Sequence, residues 1–268
     1  MEREEALAEQ ASAEAIAQAF VAARRARQGF ADYPGAMPQT LDEAYAIQAR
    51  AIALFDQPIA GWKVGRVPDG LVERFGANRL AGPIFADSVV WADAGQVPEM
   101  PIFRDGFGAA EAEYLVKLGP LPADFDRPWT NAEILPYVAE LRVGIEIASS
   151  PFAGINEHGP AVTISDFGNN NGLLIGYGIS SEEDFLSLPV SLTIDGEVAG
   201  TGIAGNMLDG PIGAVRFLFE RAAKGLPLAE GQWISTGAVT GVHPVQAGAK
   251  VEARFGAEMR VQCTIGIA

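Results

Sequence analysis

From residue 61 onward the chain is a succession of short runs rich in β-branched and aromatic residues, each closed by Gly, Pro or a polar turn. WKVGR (62–66), SVVW (88–91), EYLVKL (113–118), LRVGIEIAS (141–149), GLLIGYG (172–178), PVSLTI (189–194), QWIST (232–236), KVEARF (250–255) and MRVQCTI (259–265) follow one another. Runs of this length and punctuation read as strands. Asp195-Gly196, between SLTI and EVAG, signals a hairpin with a primed turn. One late helical pattern interrupts, at about 211–223, with Pro211 suited to its first turn and Gly225 to its end. A shorter helix is expected after Thr130, where Thr130 and Glu133 fit a capping box and Pro136 limits the length. Strands and helices do not alternate regularly, which argues against Rossmann and TIM folds.

Before residue 61 the pattern is helical. Residues 4–28 are rich in Ala, Glu, Gln and Arg, with Ile16, Phe20 and Val21 as an apolar stripe. A second helix is expected at 41–55, opened by a Thr40/Glu43 capping box and carrying Tyr45, Ile47, Ala51 and Leu54 at helical spacing. The expected class is therefore α+β: a small helical N-terminal region (1–60) before a β-rich catalytic domain (61–268) with a mostly antiparallel core.

The charge balance narrows the function. There are 34 acidic residues against 19 basic ones, a net charge of −15. That opposes binding to nucleic acid and to anionic membranes. An anionic substrate then needs a metal or a few well-placed Lys and Arg side chains. The single cysteine, Cys263, excludes an internal disulfide and a Cys-rich metal site. The opening MEREEALAEQ is unlike a signal peptide, and no apolar run reaches the roughly 18 residues of a membrane span. A cytoplasmic protein is expected.

Carboxylates carry the chemistry. On a strand, Glu111 and Glu113 project from one face, because side chains alternate with period two. Like charges there repel, so a cation should offset them unless the face is simply solvated. In Leu141–Ala148, Val143, Ile145 and Ile147 share one face and Glu146 takes the other, beside Gly144 and Ala148. A carboxylate in so apolar a stretch is costly to bury unless paired or metal-bound; the alternative is an exposed strand position. Three carboxylates without a His or Cys cluster suit a hard cation, Mg²⁺ or Mn²⁺. Lys63, in Gly61–Arg66, either guards an edge strand or serves the site by binding a carboxylate or moving a proton. The Ser165–Gly172 stretch, with Asn169, Asn170 and Asn171, is a tight loop or a polar rim for substrate. Thr236-Gly237 is a plain turn or offers an N–H and a hydroxyl to an anion. No G-x-S-x-G, P-loop or dinucleotide fingerprint is present.

In this order the pieces resemble the fumarylacetoacetate hydrolase superfamily, and within it the 2-keto-4-pentenoate hydratase and 4-oxalocrotonate decarboxylase branch. The matching stretches are Thr40–Gln48, Gly61–Gly65, Gly82–Phe85, Glu111-x-Glu113, Glu146-Ile147, Asp166–Gly172, Gly231–Ala238 and Ala247-Gly248. The resemblance implies a fumarylacetoacetase-like β-roll or barrel. It implies a divalent metal on Glu111, Glu113 and Glu146, with Lys63 as the catalytic residue at a 2-oxo or 2-hydroxydienoic acid. Arg66, Asn170, Thr236 and Gly237 are the expected substrate contacts, with Arg142 and Lys117 as further candidates for a second substrate carboxylate. The implied activity is that of a hydro-lyase of aromatic compound catabolism, adding water through a metal-stabilised enolate. The alternatives are a decarboxylase of the 4-oxalocrotonate type or a non-catalytic partner subunit of such an enzyme. A homo-oligomer, or a complex with a related pathway enzyme, is implied as well. Three departures stand out. No His precedes His158, which disfavours C–C hydrolysis. Arg79-Leu80-Ala81 stands where hydratases of the branch carry an acid. Asn169-Asn170-Asn171 replaces a smaller sequence. Glu73, Asp87 or a water are then the candidate proton sources.

Overall fold

The computed structural model describes residues 2–92, 96–180 and 184–268, with side chains of the first helix from residue 10 on. Helices α1 (Glu2–Ala26) and α2 (Leu41–Phe55) pack on each other through Ile16, Phe20, Ile47 and Ala51. At the start of α2 the Thr40 hydroxyl accepts the Glu43 N–H at 3.2 Å. Glu43 does not return the bond to Thr40 as a capping box requires; it accepts from the Gln39 N–H at 2.8 Å, one residue further out. Helices α3 (Asp69–Phe75), α4 (Asn131–Ile134) and α5 (Pro160–Ser165) are short, and α6 (Gly210–Ala222) is the late helix. The reciprocal capping box of Thr130 and Glu133 is formed at α4. Helices α3 and α5 carry no amphipathic period long enough to read from sequence.

The strands are β1 (Ile59–Arg66), β2 (Arg79–Phe85), β3 (Val89–Trp91), β4 (Glu99–Ile102), β5 (Phe107–Leu118), β6 (Val138–Ser150) and β7 (Asn170–Gly178). They continue with β8 (Val190–Ile194), β9 (Glu197–Gly202), β10 (Trp233–Ser235), β11 (His243–Pro244), β12 (Lys250–Phe255) and β13 (Met259–Ile267). Among the described residues they form two sheets. The larger runs β2-β1-β10-β5-β6-β7-β3, with β11 beside β5, and curls into a half-barrel; the smaller runs β4-β13-β12-β8-β9. Most neighbours are antiparallel, and three pairs, β1/β10, β3/β7 and β4/β13, are parallel. Asp195 (φ 53°) and Gly196 (φ 88°) close the β8–β9 hairpin, both left-handed as a type I′ turn requires.

One face of β5 and β6, with Ala110, Ala112, Tyr114, Val143, Ile145 and Ile147, packs against Val251, Phe255, Val261 and Cys263 of the second sheet. At the β1–β10 end, Trp62, Val64 and Ile234 pack under α6 through Val215, Leu218 and Phe219. Because side chains alternate, the apolar inter-sheet face of β5 and β6 leaves Glu111, Glu113 and Glu146 together on the other. No helix among the described residues is long and apolar enough to cross a membrane.

Candidate active site

Register brings the carboxylates together. In the antiparallel β5–β6 pair Glu111 stands directly opposite Glu146, and Glu113 opposite Gly144. All three are buried. One oxygen from each lies within 4.8 Å of the others. Lys63 arrives from β1, held beside β5 by the short strand β10, whose Ser235 pairs with both Lys63 and Leu115. Its ammonium, also buried, lies 3.3 Å from Glu146 Oε1 and donates to Asn169 Oδ1 at 3.1 Å. Glu146 Oε1 also accepts from the Asn170 amide at 2.9 Å. Glu113 Oε2 accepts from the Ser235 hydroxyl and, at 3.0 Å, from the Gly237 N–H. Glu113 Oε1 is buried with no hydrogen-bond partner.

The electrostatics follow from that packing. Burial pushes Glu111 up to about 7; Lys63 works against the rise and Glu146 adds to it. Burial, then Glu146 and Glu111, hold Glu113 well above the usual carboxylate range. For Lys63, burial pulls the ammonium down, but the carboxylates of Glu146, Glu111 and Glu113 together outweigh it and leave the group above its ordinary value. Clustered carboxyl oxygens with one orphan among them, and neither sulfur nor imidazole, fit a hard divalent cation, which offsets the repulsion that holds these groups up. Glu111, Glu113 and Glu146 are the residues placed to hold it.

A cavity of about 670 Å³ opens onto this cluster. Lys63 and Glu111 lie at its wall, with Arg66, Arg79, Asn169 and Thr236–Val239 among the other lining residues. Among the described lining residues three cations face it, Lys63, Arg66 and Arg79, and Glu111 is the one carboxylate. Basic side chains thus line this cavity in a chain of net charge −15, each of them paired with a carboxylate: Lys63 with Glu146, Arg66 with Asp69 and Arg79 with Asp209.

No protein-family model matches the chain. Solved structures do. That of 4-oxalocrotonate decarboxylase from Pseudomonas putida G7, complexed with magnesium and adipate, is 20% identical, with a TM-score of 0.75 over 94% of this chain and 97% of that one. Fumarylpyruvate hydrolase from Pseudomonas aeruginosa, in complex with Mn²⁺ and pyruvate, is 16% identical, with a TM-score of 0.57 over 79% of this chain and 91% of that one. A fumarylacetoacetate hydrolase family protein from Yersinia pestis CO92 is 21% identical, with a TM-score of 0.53 over 78% and 94%. The chain has the fumarylacetoacetate hydrolase fold.

Within the fumarylacetoacetate hydrolase fold of this chain, the residues singled out by sequence fall into three groups. Lys63, Glu111, Glu113 and Glu146 form one cluster. Arg66 and Gly237 line the cavity, Arg66 at an exposed position where it pairs with Asp69 at 2.7 Å. Thr236 lines it too, but its hydroxyl and N–H both go to the Tyr114 carbonyl, at 2.8 and 3.3 Å, and the Gly237 N–H goes to Glu113. That turn therefore supports the carboxylates and offers no free donor to an anion. Asn170 is absent from the cavity wall because its amide is turned onto Glu146; its neighbour Asn169 lines the cavity instead. Arg142 and Lys117 both pair with Glu140 and lie outside the cavity, as do the exposed Glu73 and Asp87.

Sequence reasoning passed over Ser235 and the separate role of Asn169, and marked Arg79 only as standing where hydratases carry an acid. Arg79, opposite Arg66 in the β1–β2 register, is buried and pairs with Asp209 just before α6. No local signal announces Asp209, which comes from 130 residues further along the chain. The three asparagines did mark the right turn, but which one faces Lys63 depends on its left-handed backbone.

Proposed function

We propose that the chain is a divalent-metal-dependent lyase of short 2-oxo or 2-hydroxydienoic acids, acting through the enolate that water addition and decarboxylation share. The observation that carries this is the meeting of three buried carboxylates and one buried lysine beside a cavity onto which Lys63 and Glu111 open. When bound, the cation supplies Lewis-acid charge opposite the carboxylate and 2-oxo oxygens of the substrate. The chain's own groups do the rest. Lys63 is the ammonium placed to bind the substrate or to hold and deliver a proton, oriented by Asn169 and Glu146. Asn170 and Ser235 fix Glu146 and Glu113 in turn.

Between the two reactions, the cavity favours decarboxylation of a 2-oxo dicarboxylate. Arg66 and Arg79 lie three residues beyond Lys63 and Gly82 along the β1–β2 pair, about 10 Å away at a strand's rise. A second substrate carboxylate reaching that end meets two guanidinium groups, Arg66 and Arg79, and takes over contacts they now make to Asp69 and Asp209. The C–C bond to that carboxylate breaks, its electron pair passes along the conjugated chain to the 2-oxo oxygen, and CO₂ leaves. One proton completes the dienol, and Lys63 is at hand to supply it. Water addition needs a group to activate water as well, and Glu111 is the one carboxylate on the described wall, already committed to the cluster.

The test is product analysis by mass after the purified protein meets 2-oxohex-3-enedioate and 2-hydroxypenta-2,4-dienoate, with Mg²⁺ and with chelator. Chelator-sensitive loss of CO₂ from the first is the expected result. Chelator-sensitive gain of water by the second moves the assignment to a hydratase. Turnover of neither substrate removes the reading.

A further inference from the structure

We propose that Arg24, on α1 and outside the cavity wall, is a positioning residue for the candidate site, acting through the turn Asp166–Asn171. The inference rests on the reading of the site given above and adds to it the device that sets the side chains around Lys63 and Glu146.

The Arg24 guanidinium is buried and fully engaged. Nε and Nη2 grip the Asp166 carboxylate at 2.6 and 2.9 Å. Nη1 donates to the Asn170 carbonyl at 3.1 Å and to Asn171 Oδ1 at 3.3 Å, and Nη2 reaches the Ser149 carbonyl at 3.3 Å. The rings of Phe103 and Phe167 flank it at 5.3 and 4.9 Å. A two-pronged grip of this kind fixes orientation as well as position. What it grips is a strained turn. Phe167, Gly168 and Asn169 have φ of 55°, 62° and 59°, three left-handed residues in succession, two of them with a Cβ. Such a backbone persists only where its surroundings over-determine it.

The turn's geometry delivers the site contacts. Its Asn169 presents Oδ1 to Lys63, and the next residue presents its amide to Glu146. The turn also sits hard against β2: a Cβ on Gly82, the register partner of Lys63, would lie 2.0 Å from the Phe167 carbonyl oxygen. Arg24 holds both ends of this turn, Asp166 and Asn170, and touches neither Lys63 nor any of the clustered glutamates. When the grip is lost the left-handed run relaxes, Asn169 leaves Lys63, and the ammonium keeps Glu146 as its remaining partner. The Lys63–Glu146 ion pair, already 3.3 Å long, then loses the neutral acceptor that shares the ammonium, and the ammonium holds Glu146 more firmly.

The experiment compares wild type with Arg24→Lys, which keeps the charge and loses the fork, and with Asp166→Asn, which loses the fork's other half. Two readouts are taken on folded protein. In metal-free samples, ¹⁵N spectra follow the side-chain amides of Asn169 and Asn170; the expected result is that both signals move in either variant. Mn²⁺ titration followed by EPR is expected to show binding weakened about 10- to 100-fold, as for loss of a residue supporting metal ligands. The double variant Arg24→Lys with Asn169→Ala, measured beside Asn169→Ala alone, is expected to bind Mn²⁺ no worse than the poorer single one, because loss of the grip already removes the Asn169–Lys63 contact. Unmoved amide signals overturn the inference whatever Mn²⁺ does, and so do additive losses in the double variant. Wild-type protein that takes up no Mn²⁺ defeats the reading of the site instead, while the amide signals still decide whether Arg24 sets the turn.

Discussion

Lys63 is the residue at which strand register, burial and charge converge. Its ammonium has one neutral acceptor, Asn169 Oδ1, and one carboxylate within reach, Glu146. Replacing it by Met keeps the packed stem and removes the proton and the charge. Lys63→Met is expected to lower kcat by about 10²- to 10⁴-fold, the usual worth of a placed acid or base, while Mn²⁺ binding is retained because no ligand is lost. Steady-state kinetics beside a Mn²⁺ titration checks this; unchanged kcat removes Lys63 from the chemistry. At this scale much was legible in the sequence. Alternation alone put Glu111 and Glu113 on one face and set Glu146 apart from its apolar neighbours. What alternation cannot give is the partner across the sheet, so Ser235 and the Arg79–Asp209 pair stayed hidden. The choice between Asn169 and Asn170 turned on a φ of 59°, which residue type permits but does not dictate.

Among the elements, the contact between β2 and the Asp166–Asn171 turn is a tight constraint near the site. A Cβ on Gly82 would lie 2.0 Å from the Phe167 oxygen, 2.4 Å from its carbonyl carbon and 2.7 Å from the Gly168 nitrogen, all backbone atoms. Gly82→Ala must push the turn away from Lys63. The expected cost is about 1–3 kcal/mol of stability, the range for overpacking, together with a loss of activity larger than that of Gly70→Ala, where a Cβ meets open space. Urea melts and turnover of the two variants compare the effects; equal behaviour shows that the turn yields freely. The helices with clear caps and the Asp195-Gly196 hairpin were legible because their signals lie within a few residues of one another. The short α3 and α5 and the parallel pairs β1/β10, β3/β7 and β4/β13 were not, since pairing direction is decided between segments far apart in the chain.

For the whole molecule, the cluster couples stability to pH and to metal. Without metal, Glu111 is raised from the ordinary 4.5 to about 7, chiefly by burial. A carboxyl raised in the folded state supports folding fully below pH 4.5, and that support is lost as pH rises through 7. Chelated wild-type protein is therefore expected to lose melting temperature between those values, and Glu111→Gln to show a flatter profile and a higher melting temperature at pH 8. Mn²⁺ at a hundred times its Kd is expected to add about 2.7 kcal/mol to wild type, roughly 5–10 °C for a chain this size, and much less to the variant. Thermal melts with Mn²⁺ and with chelator measure all of this, and identical profiles for the two proteins remove Glu111 from the cluster. That two long helices precede the strands followed from composition and punctuation, whereas the curl of the large sheet, which turns the carboxylates toward a cavity, is a property of all its strands together.

The directly opposed Glu111 and Glu146 carry an evolutionary consequence. They occupy adjacent central strands, and at position 111 an amide or an alkyl side chain would pack with less repulsion and less desolvation. Glu146 is different, because it pairs the buried Lys63 ammonium and its loss would leave that charge alone. Drift at position 111 would make the metal-free fold sturdier, so selection for stability alone would erode the cluster from that side. A descendant that had stopped using the cluster would be recognisable by a Gln, Leu or Met at position 111 long before the fold changed. This chain still spells Glu at all three.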